Sequence, residues 1–501
     1  RHTRFKCDWS SDVCSSDLAT HIGPWRNLRD FTARVLGADT ETQPHVRADW
    51  RGISPSDATA QPGYFVHDLA IPVSRYRIPP RELVELLPQQ ALMLEVARDA
   101  LADARVTEPD FTRTGVFIGL GLDLRTTDFH FRWAMLDRAS DWANRLPAGL
   151  SEQEQAAWAA RVVEAAGPPL NADRTMGALA GTNASRIAKE FGIGGQSYTV
   201  CSEDTSGLSA LEIALRALQR GELDLALAGG VELTGDLRAR LAETALGKQE
   251  IPGEGAVAIV LKRLADAQRD GDRIYAVIRG VGTSSAPLHP SPSSNPSDPA
   301  PARALVEAGF ANATPIPSAT AEVGHTGSVS GLVDLATAAL ALHTETLPAS
   351  RAAAPQHWLR NRTEGPRRAA ITATSVDGNA ISVVLESPEA NPLASIGGEG
   401  RGEGAMVAES KQSLLTPAAT KRGEALFTFA AADAVGLLAQ LDSLRQLATA
   451  APSASLDTLA RRWFRQVLDR ASPLALRSEE HTSELQSHLN LVYRLLLEKK
   501  K

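Results

Sequence analysis

Three side chains in the body of this chain are of types that could carry out group transfer, and all three stand at turns. Cys201 could supply a thiolate, Asp204 a carboxylate, and His325 an imidazole that moves protons near neutral pH. Cys201 and Asp204 lie in SYTVCSEDTSGL, where an apolar β-type run gives way to a polar turn and then to an amphipathic helix. At such a turn the helix N–H groups point into a cleft and favour negative charge, so a carboxylate there is held ionised and is a weak nucleophile. Capping the helix that starts at Ser206 is the expected use of Asp204. Cys201 comes three residues earlier, in the strand end, away from the helix field that would activate a thiol; a buried, inert core cysteine is expected. His325, in GHTG ahead of a Gly- and Ser-rich helix start, is open to acid–base work or to a satisfied structural role.

The elements that must position these groups are legible as an alternation of strands and helices. Ser197 to Glu232 reads as one βαβ unit: Leu208, Leu211, Leu215 and Leu218 recur at helical spacing, Gly221 is a C-cap candidate, and Leu223 to Ala228 is an apolar run ended by Gly229-Gly230. Its two strands are expected to be parallel and buried. Leu92, Val96 and Leu101 make Pro88 to Leu101 a core helix, and Thr114 to Gly121 is a buried strand. The G-x-G that ends it is expected to serve close backbone approach rather than a nucleotide. Gly253 to Ser285 reads strand, charged helix, strand, and Ile371 to Ser387 reads as two strands around a glycine turn. The patterns before and after Arg263 suggest two related halves within an α/β fold.

With 501 residues, 43% of them hydrophobic, the chain can bury a large core with smaller appendages. A net charge of -7 gives no basic footprint for nucleic acid, no run of about 18 apolar residues exists to span a membrane, and a cytoplasmic location is expected. Of the three cysteines, Cys7 and Cys14 fall in an unusual N-terminal stretch, so no disulfide framework is available. No clustered Cys/His spacing and no full dinucleotide fingerprint is present, and neither a metal nor a bound cofactor is expected. Both ends, residues 1–18 and 478–501, resemble translated sequencing-adapter sequence and are read as non-native. Between them, residues 19–388 form the main domain, 389–422 a linker and 423–477 the truncated start of a following domain.

Two motifs give the chain a family resemblance. Thr199, Val200, Ser206 and Leu208 match T-V-D-T-A-C-S-S-S-L, and Asp224 to Val231 matches D-L-A-L-A-G-G-V throughout. These segments resemble the β-ketoacyl-ACP synthases, the ketosynthases of fatty-acid and polyketide assembly. Pro88 to Leu101, Gly253 to Gly280 and Gly324 to Gly331 extend the likeness, which covers Thr20 to Ser387. The resemblance implies a thiolase-like layered fold of two related βαβ halves. The family's first core strand, an apolar V-A-I-V-G-M, has no counterpart in the sequence, so that strand is expected to be missing.

The resemblance also implies a cysteine nucleophile and two histidines, and here the chain departs from it. Asp204 stands at the cysteine position, and His325 matches the second histidine, whose family role is to bind the thioester oxygen. The first histidine, in E-A-H-G-T-G-T, has no match: Gly309 to Pro317 lies in its place and contains none. The lysine before the second histidine is Thr320, and the glycine-phenylalanine gating turn is replaced by Ser375-Val376-Asp377-Gly378. The long insertion after Val231 is shortened to ELTGDLRARLAETALGKQEIP. What these departures imply is a non-condensing, chain-length-factor-like domain, similar to those of polyunsaturated-fatty-acid, glycolipid and polyketide synthases. Its partners would be an acyl carrier protein presenting phosphopantetheine, and a second copy or an active ketosynthase paired through Ser197 to Ser202. Two alternatives stay open: a malonyl-ACP decarboxylase of ketosynthase type, and a damaged copy of an active 3-oxoacyl-ACP synthase.

Overall fold

The apolar runs become strands of one mixed sheet. In the computed structural model the described residues are 12–47, 61–104, 111–145, 151–247, 250–285, 299–348, 355–359 and 365–388, then 425–429, 434–450, 463 and 474–478. Chain contacts divide into two compact units, Arg1–Pro388 and Glu389–Lys501. Most of the expected Pro287 to Pro301 loop, the 389–422 linker and residues 479–501 lie outside the described residues.

In the first unit the strands of the main sheet are β1 (Val13–Ile22), β2 (Thr114–Leu120), β3 (Ser197–Val200), β4 (Leu225–Glu232), β5 (Gly255–Arg263), β6 (Ala276–Ser285), β7 (Thr314–Pro315), β8 (Arg368–Thr374) and β9 (Asn379–Glu386). They lie side by side in the order β3-β2-β4-β5-β1-β6-β9-β8-β7. Outward from β1 the pairings run antiparallel to β5, antiparallel to β4, then parallel to β2. Outward from β6 they run antiparallel to β9, antiparallel to β8, then parallel to β7. The two halves therefore repeat one pattern and join where β1 meets β6.

The expectation of a missing first core strand is corrected. Val13–Ile22 fills the slot between β5 and β6, in a register that places Leu18 opposite Ile259 and Ile22 opposite Gly255. Ser15, Asp17 and Thr20 are buried there, which is why the segment lacks the apolar signature of a core strand. The slot is held by backbone pairing on both sides, and that requirement is blind to side chains. Ser15 Oγ also donates to the Ala276 carbonyl at 3.3 Å and accepts from its N–H at 3.2 Å.

Two helices pack at the centre of the unit: α2 (Ser206–Gln219), following α1 (Pro88–Asp103) and β3 in sequence, and α4 (Ser330–Thr344), separated from α2 in sequence by α3 (Leu237–Ala245) and strands β4 to β7. Leu208, Leu211, Leu215 and Leu218 are all buried, and Gly221 takes φ +69°, the left-handed conformation of a residue just past a helix end. The approaches to α2 and α4 are duplicates. Both helices begin Ser-Gly-Leu, and in each the serine Oγ accepts from the N–H four residues earlier: Ser202 to Ser206 at 2.8 Å, Thr326 to Ser330 at 3.1 Å. The contacts are reciprocal, since a Cβ on Gly207 would stand 2.8 Å from Leu332 and one on Gly331 would stand 2.6 Å from Leu208. The glycines let the two helices cross at close range.

Of the two strands expected to be buried, β4 is buried along its whole length, whereas β3 is an edge strand with Tyr198 40% exposed. Only β2 flanks it, so one face of its ladder is open. Among the described residues no helix is long and apolar enough to cross a membrane. Among its described residues the second unit has β10 (Ala425–Phe429) antiparallel to β11 (Leu474–Ser478) and the helix α5 (Ala434–Ala450).

Candidate functional site

The turn between β3 and α2 keeps a strained geometry. Glu203 takes φ +45°, a region that non-glycine residues rarely enter. Its carbonyl accepts from Ser206 Oγ at 2.6 Å, which fixes the turn against the helix start. Thr205 is the N-cap of α2 and makes no side-chain cap bond; its hydroxyl donates back to the Ser202 carbonyl at 2.7 Å. The expected capping by Asp204 is therefore corrected. Asp204 Oδ1 instead lies 3.4 Å from His325 Nε2, within ion-pair range whenever the imidazole is protonated, and the carboxylate is only 13% exposed.

His325 is set by its backbone. Its N–H donates to the Ile251 carbonyl at 2.7 Å, and its own carbonyl accepts from the Gly253 N–H at 2.8 Å. Gly324 before it has φ +82°, and a Cβ there would stand 2.6 Å from the Pro252 carbonyl oxygen, so the first glycine of GHTG is required by this close approach. His325 Nδ1 lies 3.4 Å from Ser330 Oγ at the start of α4. One ring thus spans the two duplicated helix approaches.

The pair opens on a cleft of about 500 Å3. Leu246 and Glu250 from the shortened insertion form one wall, and Thr374 and Ser375 at the end of β8 form another. The turn at the expected gating position is locked: Asp377 accepts from Ser375 Oγ and from Asn379 Nδ2, the latter at 2.7 Å, and Gly378 takes φ +84°. These donors, Ser375 first, hold the Asp377 carboxyl below its usual range.

Behind the pair lies Glu232, buried at the end of β4, whose Oε2 accepts from the Ser328 N–H at 3.3 Å. Burial pushes its carboxyl up to about 7, against that hydrogen bond. Glu232 explains glycines on both sides: a Cβ on Gly121 would stand 2.2 Å from its Oε2, and one on Gly327 would stand 3.0 Å from its Cγ. Gly119 in turn admits the first turn of α2, since a Cβ there would stand 2.4 Å from Ser206. The G-x-G at the end of β2 serves these approaches.

Cys201 is corrected from buried to exposed, because it ends an edge strand that nothing covers on its open side among the described residues. It is not part of the cleft wall. Cys14 is the buried thiol, pushed up to about 12 by desolvation. Sequence reasoning found Asp204 and His325 but missed Leu246, Glu250 and Glu232. The Glu232 signal was available in the three glycines that its burial and the α2 approach demand.

Residues 25–248 match the β-ketoacyl synthase, N-terminal domain family. The phthioceranic/hydroxyphthioceranic acid synthase of Mycobacterium bovis is 30% identical over 388 residues, covering 63% of this chain and 17% of that protein. A mycocerosic acid synthase-like polyketide synthase of Mycobacterium tuberculosis is 28% identical over 380 residues, covering 61% of this chain and 16% of its own length. The chain thus spans about a sixth of these relatives. Among solved structures, a PfaC ketosynthase–chain length factor aligns with TM-score 0.61 at 18% identity, covering 75% of this chain and 43% of that one. The oxazolomycin ketosynthase domain of Streptomyces albus JA3453 aligns with TM-score 0.59 at 19% identity, covering 96% and 88%. At these identities the structures speak for the fold, and the sequence relatives speak for its setting. Residues 25–248 are thus similar to a β-ketoacyl synthase N-terminal domain, and the chain shares the α/β fold of solved ketosynthases.

Proposed function

We propose that this domain does not condense acyl units and acts instead as a chain-length-factor-like partner of an active ketosynthase. The observation that carries the reading is the Asp204 carboxylate at the elbow, 3.4 Å from His325 Nε2. A condensing site must hold the growing chain as a thioester on a thiolate; a carboxylate would hold it as an anhydride, which water cleaves readily. His325 is also the one imidazole on the cleft wall, where decarboxylation and enolate stabilisation call for two.

In this reading the open edge of β3 pairs with a second copy or with an active ketosynthase, giving an unpaired strand a partner. The cleft would then receive the phosphopantetheine arm of an acyl carrier protein, with no cofactor of the domain's own. Incubation of the full chain with acyl-ACP and malonyl-ACP should yield no β-ketoacyl product and no protein-bound acyl group by intact mass. The same outcome is expected for Asp204→Cys, because the second imidazole is still lacking. A β-ketoacyl product from the unaltered chain would overturn the reading.

A further inference from the structure

A carboxylate at the elbow cannot store an acyl group, yet it is well placed to activate water. Asp204 and His325 are 13% and 22% exposed, so both reach the cleft while most of each is shielded from bulk solvent. The imidazole contact at 3.4 Å fixes one face of the carboxylate, and Ser330 Oγ, 3.4 Å from Nδ1, fixes the far side of the ring. The resulting chain Asp204–His325–Ser330 joins both helix approaches, so the orientation of the base is set by contacts to each of them. The cleft is open and large enough, at about 500 Å3, to hold water beside a thioester. The 14-residue helix α2 starts two residues after Asp204 with no side-chain cap, so its dipole favours negative charge near this turn.

We infer that Asp204 is a general base for thioester hydrolysis and that His325 positions it. The inference rests on the preceding reading only for its substrate class, a thioester carried on a pantetheine arm. Water attacks the carbonyl carbon as Asp204 takes its proton, forming a C–O bond and a tetrahedral oxyanion beside the α2 N-terminus. The C–S bond then breaks, and the proton on Asp204 passes to the leaving sulfur. Water is the sole co-reactant, and the products are a carboxylic acid and a free thiol. The domain would clear acyl groups stalled on a carrier, where a condensing site would extend them.

The test uses the full chain with S-octanoyl-pantetheine, following free thiol by colorimetry and the acid by mass spectrometry in H2 18O. Thiol release above the buffer rate is expected, with one 18O in the octanoate. Asp204→Asn, of the same shape, should lose about 100-fold or more, the usual worth of a general base. His325→Ala should lose activity that added imidazole restores, a rescue that a purely structural role would not allow. Cys201→Ser should be unchanged, which separates hydrolysis from acyl transfer to that exposed thiol. Release no faster than buffer, or full release by an Asp204→Asn variant with an unchanged melting curve, overturns the inference. Either result leaves the non-condensing reading standing, because that reading fails only on a β-ketoacyl product.

Discussion

Glu232 and Asp334 make the stability of the first unit fall as pH rises. Burial pushes both carboxyls, ordinarily near 4.5 and 3.8, up to about 7. Hydrogen bonds from the Ser328 N–H to Glu232, and from the Ala319 N–H at 2.8 Å and Ser318 Oγ at 3.1 Å to Asp334, oppose burial without cancelling it. The folded state therefore holds more protons than the unfolded state across this interval. The contribution is complete below about pH 4 and is lost as pH climbs through about 7. At about 1.4 kcal/mol per unit, Glu232 withdraws about 3 kcal/mol and Asp334 about 4 kcal/mol. Unfolding a unit of this size carries an entropy of about 0.8 kcal/mol/K, so the groups are worth about 4–5 °C each in melting temperature. His21, pushed down to about 4 mainly by burial, works in the opposite sense below about 6.5; its effect cancels when variants are compared with the unaltered chain. The assay is thermal melting of the full chain from pH 5 to 8, alongside Glu232→Gln, Asp334→Asn and the double variant. Each amide keeps the accepting oxygen and should melt higher at pH 8 by about 4–5 °C, with about half of the pH dependence removed. A double variant with the same pH slope as the unaltered chain would refute the reasoning.

Three further outcomes are expected. Because the Gln196 carbonyl accepts from the Val116 N–H, alternation turns Ser197 and Thr199 toward the open edge of β3. Thr199→Pro should abolish association in light scattering while leaving the melting curve in place. Gly331→Ala drives a Cβ to 2.6 Å from Leu208 and should destabilise the unit by about 1–3 kcal/mol in denaturant titration. Arg240 is 3% exposed; its Nη2 pairs with Glu243, its Nε and Nη1 find no hydrogen-bond partner among the described residues, and burial pushes its guanidinium down to about 10. Replacing the whole pair, Arg240→Met with Glu243→Gln, should therefore raise stability by about 1–3 kcal/mol in the same titration.

Much of the fold was readable because its core strands and helices carry long periodic runs. Leu208 to Leu218, Leu225 to Val231 and Gly255 to Leu261 are buried as their spacing demands. The first strand was not readable, because Ser15, Asp17 and Thr20 carry no core signature and the slot selects for backbone alone. Exposure of Cys201 was missed for a related reason: a four-residue apolar strand looks the same in the middle of a sheet as at its edge. At the site, motif spacing placed Asp204 and His325, but their contact depends on how α2 and α4 cross, which no local pattern encodes. Glu250 and Leu246 belong to a segment defined by its shortness, with no residue pattern pointing at the cleft.

The duplicated approaches have a consequence for how such a domain can change. His325 stands five residues before Ser330, as Cys201 stands five before Ser206; Ser328 likewise mirrors Asp204. What holds each approach together is the serine hydroxyl, the glycine crossing and the leucine behind it, and none of the three is a reacting group. Asp204 and His325, the positions to which the proposals assign chemistry, sit in the gaps of this scaffold. A substitution at Asp204 can thus alter or erase chemistry while barely moving the folding equilibrium, so selection on stability would not register it. Activity in this architecture is free to drift, be lost, or be replaced by another reaction inside a frame that stays folded throughout.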